Sequence, residues 1–427
     1  MPLPRLANSA ERIVYRIAGL PIAVKALVAA SKARPADPLR SAFTSRYWHP
    51  RGVAETSELL GGIILTPIAI LASLAWFTWR NGAVIRRRHG KSVPSQLAEQ
   101  LRLYFSAGVL PPWYYIFSLH DEGAQRAPTF IERFETKTCY FRLLKQRKGT
   151  PLNDKTRFAE FCAANGIRSV PTILRLPGDD PQRPLPRRDL FVKPVSGRGG
   201  KGAERWDYIG SQSFSGPHGE QLTRSALLRR LVERSRHGPI IVQPRMLPHP
   251  DLATMTAGAL PTVRVLTCLN TQGEPEVIAG VVRTSLGKNR TVDNLHAGGI
   301  GAMIDFELGT LSRATNLGSD ARLGWLAVHP DSGAQIEGRV LPCWNEVKEC
   351  AVAAHRKFND RVVIGWDIAV LEDGPILIEG NGNPDLDILQ RFMRVGLREH
   401  RFAEMLAHHL RENGKAPADR PKTRALG

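Results

Sequence analysis

Two periodicities of apolar residues alternate along the chain and indicate which segments are helices and which are strands. Helical spacing predicts helices at 96–105, 150–165, 225–234, 344–358 and 402–412. Short apolar runs bounded by turn residues predict strands at 190–192, 240–242, 262–269, 276–282, 362–371 and 376–378. An aromatic group at 113–117 is typical of core packing. Consecutive strands joined by turns, with helices grouped before and after them, predict an α+β fold with antiparallel sheets.

The longest uncharged apolar stretch lies at 59–79, and its 21 residues could cross the hydrocarbon core of a bilayer. Trp76 and Trp79 stand at its C-terminal end and a basic cluster follows at 86–91, as in a membrane anchor with cytoplasmic positive charge. Pro67 weakens a spanning helix. Two interpretations stay open: membrane attachment and a buried core helix. The predicted localisation is cytoplasmic, at the inner face of the membrane if the first interpretation holds.

The chain is strongly basic, and the excess of positive charge is uneven. Its 59 Lys and Arg against 40 Asp and Glu give a net charge of +19, and residues 1–150 alone hold 22 basic and 9 acidic residues. No RNP signature, zinc finger or regular aromatic interleaving accompanies this charge, so we predict no specific nucleic-acid partner. The five cysteines form no CxxC pair, which indicates reduced thiols rather than a zinc site.

A glycine-rich segment, FVKPVSGRGGKGA, carries the first candidate chemistry. Lys193 ends a predicted strand, and the residues that follow allow the backbone to turn its N–H groups towards a phosphate. These residues are Ser196, Gly197, Gly199, Gly200 and Gly202. The order excludes a Walker A loop, because Lys201 is followed by glycine, and a kinase loop, because Lys193 precedes the glycines. A dinucleotide fingerprint is excluded because 204–206 predicts a strand. A surface hairpin without function is the alternative.

A second candidate is the hairpin GWDIAVLEDGPILIEGNGNP, with a predicted three-residue loop at 372–374. That loop places Leu371 opposite Pro375 and, counting back, Asp367 opposite Glu379. Carboxylates that face one another repel by ~3 kcal/mol at ~5 Å and an effective dielectric constant of ~20, so a positive charge must compensate them.

The predicted compensating charge is Mg²⁺, or Mn²⁺ in its place. Asp367, Glu379 and Asn381 lie on one face of the predicted hairpin, and their oxygens are ligands that Mg²⁺ prefers. A surface hairpin with its acids in solvent is the alternative.

Between these two segments lie TVRVLT, VVRTS and VDNLHAGGIG. Arg264 and Arg283 each interrupt a row of apolar strand residues, which is costly unless an anion or a carboxylate meets the guanidinium. Each is therefore a candidate catalytic residue or, alternatively, a member of a buried ion pair. Asn294 stands in a polar turn marked by glycines that suits close ligand approach, and His296 beside it is more typical of a structural role.

Together these residues resemble the ATP-grasp superfamily, in which a helix lysine, a strand lysine before a glycine loop, an adenine-contacting strand and a D…E-x-N metal set follow in this order. Lys155 in LNDKTRF and the strand at 241–243 complete the set in this chain. The run RVLT…VVRTS…VDNLHAGG…GWDIAV…IEGNGNP is similar to alpha-L-glutamate ligases, and closer to a related group associated with sugar transfer and cell-surface polysaccharides. The resemblance covers about residues 120–405.

The resemblance implies two α+β subdomains that grip ATP. Lys155 and Lys193 would contact its phosphates and Gln243 its adenine, while Arg264, Arg283 and Asn294 would be catalytic. The implied reaction is attack of a carboxylate on the γ-phosphate, followed by displacement of phosphate from the acyl phosphate by an amine. The implied substrate is a small molecule, glycan or peptide.

Two other functions stay open at this point: phosphate transfer to a hydroxyl, and a membrane-attached ATP-binding scaffold without turnover. Gly380 and Gly382 depart from the family pattern around the metal set and leave the second substrate undefined. The predicted organisation comprises a basic N-terminal region at 1–92 with the hydrophobic segment 59–79, a helical and aromatic lead-in at 93–149, the ATP-grasp domain at 150–410 and a disordered tail at 411–427.

Overall fold

The computed structural model describes residues 38–48, 52–144, 150–196, 200–256, 258–287 and 291–415. Within these residues the strands form two six-stranded sheets whose ladders are antiparallel. The α+β prediction is therefore confirmed.

The helices are α1 (Pro38–Trp48), α2 (Val53–His89), α3 (Val93–Ala107), α4 (Pro111–Ile116), α5 (Arg133–Leu143), α6 (Lys155–Ala164), α7 (Arg224–Ser235), α8 (Pro250–Ala253), α9 (Trp344–Lys357), α10 (Leu386–Met393) and α11 (Arg401–Lys415).

The first sheet, which we call the N-terminal sheet, has the strand order β1-β6-β2-β3-β4-β5. Its strands are β1 (Leu174–Leu176), β2 (Leu190–Pro194), β3 (Glu204–Tyr208), β4 (Ser213–Ser215), β5 (Gln221–Thr223) and β6 (Ile240–Pro244). Leu227 and Leu231 of α7 pack in one apolar cluster with Val192, Trp206 and Ile240. The sequence did not predict β1, β4 and β5, because three residues are too few to show an alternation.

The second sheet, which we call the C-terminal sheet, has the strand order β10-β9-β8-β7-β11-β12. Its strands are β7 (Thr262–Leu269), β8 (Pro275–Thr284), β9 (Ile300–Ile304), β10 (Leu311–Thr315), β11 (Val363–Leu371) and β12 (Gly374–Asn381). Val347 of α9 packs against Val265 and Ile364, while Leu389 of α10 packs in a separate cluster with Leu266. Every residue of β11 is buried. Helices on both faces explain why its sequence is a nearly continuous apolar run.

The hairpin of β11 and β12 pairs Asp367 with Glu379 as predicted, but by a different route. Leu371 pairs with Gly374, so the predicted three-residue loop is wrong and the turn holds two residues. The ladder then passes from Ile368↔Leu377 to Asp367↔Glu379, which leaves Ile378 as an extra residue in a β-bulge. This bulge restores the register that the shorter turn would otherwise have shifted by one residue.

Helices α2, α3 and α4 share one apolar cluster. The aromatic side chains of Trp113, Tyr114 and Tyr115 are almost fully buried in it, which confirms their core-packing role. Phe77 of α2 and Leu103 of α3 pack in the same cluster. The predicted domain boundary after residue 92 thus falls between two helices with a common core.

Two predicted helix limits need correction. The helix expected at 150–165 begins as a 3-10 turn at Pro151–Asn153, and Asp154 then caps α6 by accepting the backbone N–H groups of Thr156 and Arg157. The disordered tail expected from Arg411 is wrong for its first residues, because α11 continues to Lys415. Residues 416–427 lie outside the described residues.

Candidate active site

A cavity opens between the two sheets, and most of the residues selected from the sequence line it. The predicted residues on its wall are Lys155, Lys193, Ser196, Gly200, Gln243, Arg283, Asn294, Asp367 and Glu379. Gly202, Arg264 and Asn381 are not part of the wall. Gly197 and Gly199 lie outside the described residues. Elements as far apart in sequence as α6 and β12 therefore converge on one space.

Two lysines bring positive charge to the cavity, Lys193 from the N-terminal sheet and Lys155 from α6. Lys193 lies near the end of β2, where it pairs with Ile241, and its side chain is buried. Burial lowers the pKa of the Lys193 ammonium to about 8, although Glu379 raises the pKa and Lys155 lowers it further. The capped start of α6 places Lys155 on the same cavity. Asp367 also raises the pKa of Lys193, but burial outweighs both carboxylates, so the entry of a polyanion would stabilise the charged ammonium.

The lowered pKa predicts that ATP binding weakens in mild alkali. Lys193 is protonated below pH ~8, and a bound phosphate favours the protonated form, so affinity is lost as the pH rises through the pKa. One pH unit above the pKa the free energy needed to reprotonate the amine weakens binding about tenfold. Calorimetric titration of Mg-ATP between pH 7 and pH 9 measures this loss.

Lys193→Met is the matched control. This variant should bind Mg-ATP more weakly at every pH, and its affinity should not fall between pH 7 and pH 9. A wild-type affinity that stays constant to pH 9 would contradict a role of Lys193 in phosphate binding.

The described residues of the glycine segment reach the cavity from the same sheet. Ser196, Gly200 and Lys201 line it. Gly200 has a φ of +68°, and a Cβ at this position would lie 2.5 Å from a methyl carbon of Val292. Val292 belongs to the turn that carries Asn294. The loop therefore touches the C-terminal part of the site, and only glycine allows both the backbone angle and this approach.

Asp367 is held by two arginines of the C-terminal sheet. Arg264, directly opposite it on β7, donates from Nε to Oδ1 at 2.5 Å and from Nη2 to Oδ2 at 3.0 Å. Arg283 on β8 brings Nη2 within 3.1 Å of Oδ1. Burial tends to raise the pKa of the Asp367 carboxyl, but the two guanidiniums outweigh it and hold the pKa below its usual value.

These contacts change the expected compensation at the hairpin. A metal ion was expected to offset the charge of the facing carboxylates, whereas two arginines already offset that of Asp367. Arg264 and Arg283 thus both form ion pairs with Asp367, which was the alternative to a catalytic role.

Asp293 and Thr262 are site residues that the sequence analysis did not select. The Thr262 backbone N–H donates to Asp293 Oδ2 at 3.0 Å, and Arg283 Nη2 donates to Thr262 Oγ1 at 2.6 Å. Arg283 Nε lies 3.7 Å from Asp293 Oδ2. Burial raises the pKa of the Asp293 carboxyl. The position of Asp293 directly before Asn294 was the only sequence signal for it. That signal is weak, because acidic residues are common in glycine-rich turns.

The residues present fit a divalent cation in part. Across the described residues, no hydrogen bond or ion pair engages the Glu379 carboxylate, and the Asn381 side-chain nitrogen is buried without a partner. A buried amide without a hydrogen-bond partner indicates that a ligand binds beside it. If the Asn381 side-chain amide is flipped, its oxygen takes the place of the nitrogen and can bind a cation. Glu379 and Asn381 would therefore hold the ion. Both oxygens of Asp367 contact guanidinium groups, so Asp367 would reach a cation only after exchanging one of them. No group of three or more His, Cys, Asp or Glu side chains that could hold a metal occurs in the described part of the chain.

The remaining wall divides into an apolar part and a second basic part. Apolar side chains on it are Val170, Phe191, Met246, Leu260 and Ile378. Phe191 pairs with Gln243, whose amide donates to the Val170 carbonyl at 3.1 Å. Arg205 and Arg245 complete the wall; both contact Asp207, at 2.6 Å and 3.3 Å. No sequence signal identified these two arginines, because tertiary pairing alone brings them together.

Two antiparallel sheets with a lysine and glycine loop on one side and an Arg, Asp and Glu set on the other define an ATP-grasp protein. The chain belongs to the family of sugar-transfer associated ATP-grasp proteins, whose family model matches residues 136–404. Among curated proteins, no match is found.

Solved structures of similar fold include several ligases. D-alanine-D-alanine ligase from Coxiella burnetii is 12% identical with a TM-score of 0.34, covering 62% of this chain and 58% of that one. D-alanyl-alanine synthetase A from Vibrio cholerae is 12% identical with a TM-score of 0.37, covering 62% and 65%. L-amino acid ligase from Bacillus licheniformis is 12% identical with a TM-score of 0.36, covering 65% and 53%. The chain thus spans less than two thirds of the length of each.

Proposed function

We propose that this protein is an ATP- and Mg²⁺-dependent ligase that activates a carboxylate as an acyl phosphate for attack by an amine. The observation that supports it is the convergence of Lys155, the buried Lys193 and the Asp367 and Glu379 carboxylates on one cavity. The family's association with sugar transfer favours a substrate from the polysaccharides or peptides of the cell surface. The proposed location is the cytoplasm.

In this proposal the cavity binds ATP along its length. Phe191 and Gln243 would contact the adenine, and Lys193, two residues further along β2 and ~7 Å away, would contact the phosphates together with Lys155. Backbone N–H groups at Gly200 would complete the phosphate contacts. Mg²⁺ held by Glu379 and Asn381 would neutralise the phosphate oxygens.

The chain's residues then act by position and charge. A carboxylate oxygen of the substrate attacks the γ-phosphorus, the bond from that phosphorus to the β–γ bridging oxygen breaks, and ADP leaves. The amine nitrogen next attacks the acyl carbon, phosphate leaves with the bond electrons, and the amine proton passes to solvent. Arg283, held in place by Thr262 and Asp293, would stabilise the charge on the transferring phosphoryl group, with Asn294 beside it.

A hydroxylamine trap tests this reaction class. The protein is incubated with Mg-ATP, hydroxylamine and a pool of cell-envelope precursors, and acyl hydroxamates and ADP are measured by mass spectrometry. We expect hydroxamate in proportion to ADP, because hydroxylamine replaces the amine only after a carboxylate has been activated. A phosphate ester on a hydroxyl, formed in place of hydroxamate, would instead establish a phosphotransferase. ATP binding without ADP release in any precursor pool would favour the scaffold.

A further inference from the structure

Helix α2 exposes a row of large apolar side chains and buries several polar ones, unlike an amphipathic helix on a soluble surface. Ile64, Ile68 and Trp79 are 72%, 68% and 77% exposed. The buried polar residues of the same helix are Thr66, Ser73, Thr78 and Asn81. Only 33% of its most apolar window is buried, so the helix is not enclosed in a core.

Six of the exposed apolar residues form one line along the helix, which we call the α2 stripe. It consists of Leu60, Ile64, Ile68, Leu71, Ala75 and Trp79, all exposed. Spacings of three and four residues keep them on one face, over ~29 Å at 1.5 Å per residue. Arg86 stands 18 residues after Ile68, which is five helical turns, so it continues the same face.

The polar residues on the opposite side are satisfied by the protein itself. The Ser73 hydroxyl donates to the Ile70 carbonyl at 3.0 Å. Gln100 of α3 donates to the Thr78 hydroxyl at 2.9 Å, and Asn81 accepts the backbone N–H of Ala321 at 2.8 Å. These contacts tie this side of α2 to its neighbours and leave the stripe facing outward.

The charge next to the stripe indicates what covers it. Arg86 and Arg87 are exposed, and no ion-pair partner for either occurs among the described residues. Trp79 stands between the apolar positions and these arginines, as aromatic residues do at the boundary between hydrocarbon and headgroups. An apolar strip followed by an aromatic residue and unpaired arginines complements an anionic bilayer.

We propose that the α2 stripe docks on an anionic membrane, with its apolar side chains in one leaflet and Arg86 and Arg87 on the headgroups. The helix is long and apolar enough to cross a bilayer by length and composition. It does not cross, because Ile70, Leu74 and Phe77 pack in the protein cluster shared with α3 and α4. This docking is independent of the proposed reaction.

Co-sedimentation of the full chain with vesicles tests the proposal, using phosphatidylcholine alone and phosphatidylcholine mixed with phosphatidylglycerol. We expect binding to the mixed vesicles and a loss of roughly tenfold or more for a variant with Ile64→Ser, Ile68→Ser and Leu71→Ser. Arg86→Glu with Arg87→Glu should abolish the preference for the anionic vesicles. Thermal midpoints should stay at the wild-type value, because the substituted side chains are exposed.

The matched control is Leu247→Ser with Leu308→Ser. These two leucines lie outside α2 and are 61% and 72% exposed, so this variant should bind vesicles like the wild type. A wild type that stays in the supernatant, or a stripe variant that binds like it, would refute the proposal. The proposal would also be refuted if light scattering showed that the wild type is a dimer and the stripe variant a monomer. In that case a second copy of the chain would cover the stripe. Resistance of the expressed protein to alkaline carbonate would show a spanning helix and refute docking in one leaflet.

Discussion

Glu379→Gln should reduce ADP release by roughly 10²–10³-fold while leaving the thermal midpoint unchanged. The Glu379 side chain lines the cavity and has no hydrogen bond or ion pair within the described residues, so its charge does not stabilise the fold through such contacts. The amide has the same shape but cannot supply the negative charge that the proposed metal site requires. Turnover with envelope precursors and thermal unfolding, measured on the same preparation, separate the two effects.

Glu372→Gln is the matched control, because Glu372 is an exposed acid at the turn of the same hairpin. It should retain wild-type turnover. Asp367→Asn should differ from both variants and lower the thermal midpoint as well as turnover, since two guanidiniums lose their shared carboxylate. If ADP release survives Glu379→Gln combined with Asp367→Asn, the proposed site is wrong.

The largest loss of stability is expected for Arg283→Leu, by about 3–5 kcal/mol in the free energy of unfolding. Arg283 is buried and contacts Asp367, Asp293 and Thr262. Burial alone would lower the pKa of its guanidinium, but the two carboxylates raise that pKa above its ordinary value. Removing the arginine therefore leaves buried negative charge without its partner. Urea unfolding followed by tryptophan fluorescence measures the change.

Arg313→Leu provides the control, because Arg313 pairs with Glu337 at 2.9 Å with both side chains largely exposed. Such pairs contribute only ~0–1 kcal/mol, so little change is expected. Adding Asp367→Asn to Arg283→Leu should cost less than the sum of the two single changes, because it removes one of the unpaired charges. Additive losses would contradict a direct coupling between the two side chains.

The hairpin illustrates how far sequence patterns reach. Counting back from an assumed three-residue loop predicted that Asp367 faces Glu379, and the structure confirms the pair. The loop length was wrong and a bulge at Ile378 compensates for it, because backbone geometry at a turn depends on neighbouring contacts that no local pattern records. The pair forms despite the shorter turn, because the bulge restores the one register that a buried strand tolerates.

The arginine contacts mark the other limit. Arg264 and Arg283 were recognisable as costly residues within apolar strands, yet the sequence left open whether an anionic ligand or a carboxylate of the protein meets them. The strand order β8-β7-β11 decided this, because it sets both arginines beside Asp367. Arg205 and Arg245 were not recognisable at all, since they meet at Asp207 only after β3 and β6 join one sheet.

The sequence by itself determined the α+β class, seven of the twelve strands in the described part of the chain, and the family to which the chain belongs. These features rest on local periodicity, turn chemistry and residue order, all of which are written in contiguous segments. Tertiary structure decided which charges neutralise Asp367, which residues complete the cavity wall, and that α2 turns its apolar side outward. Each of these depends on contacts between residues far apart in sequence, and such contacts exist only in the folded chain.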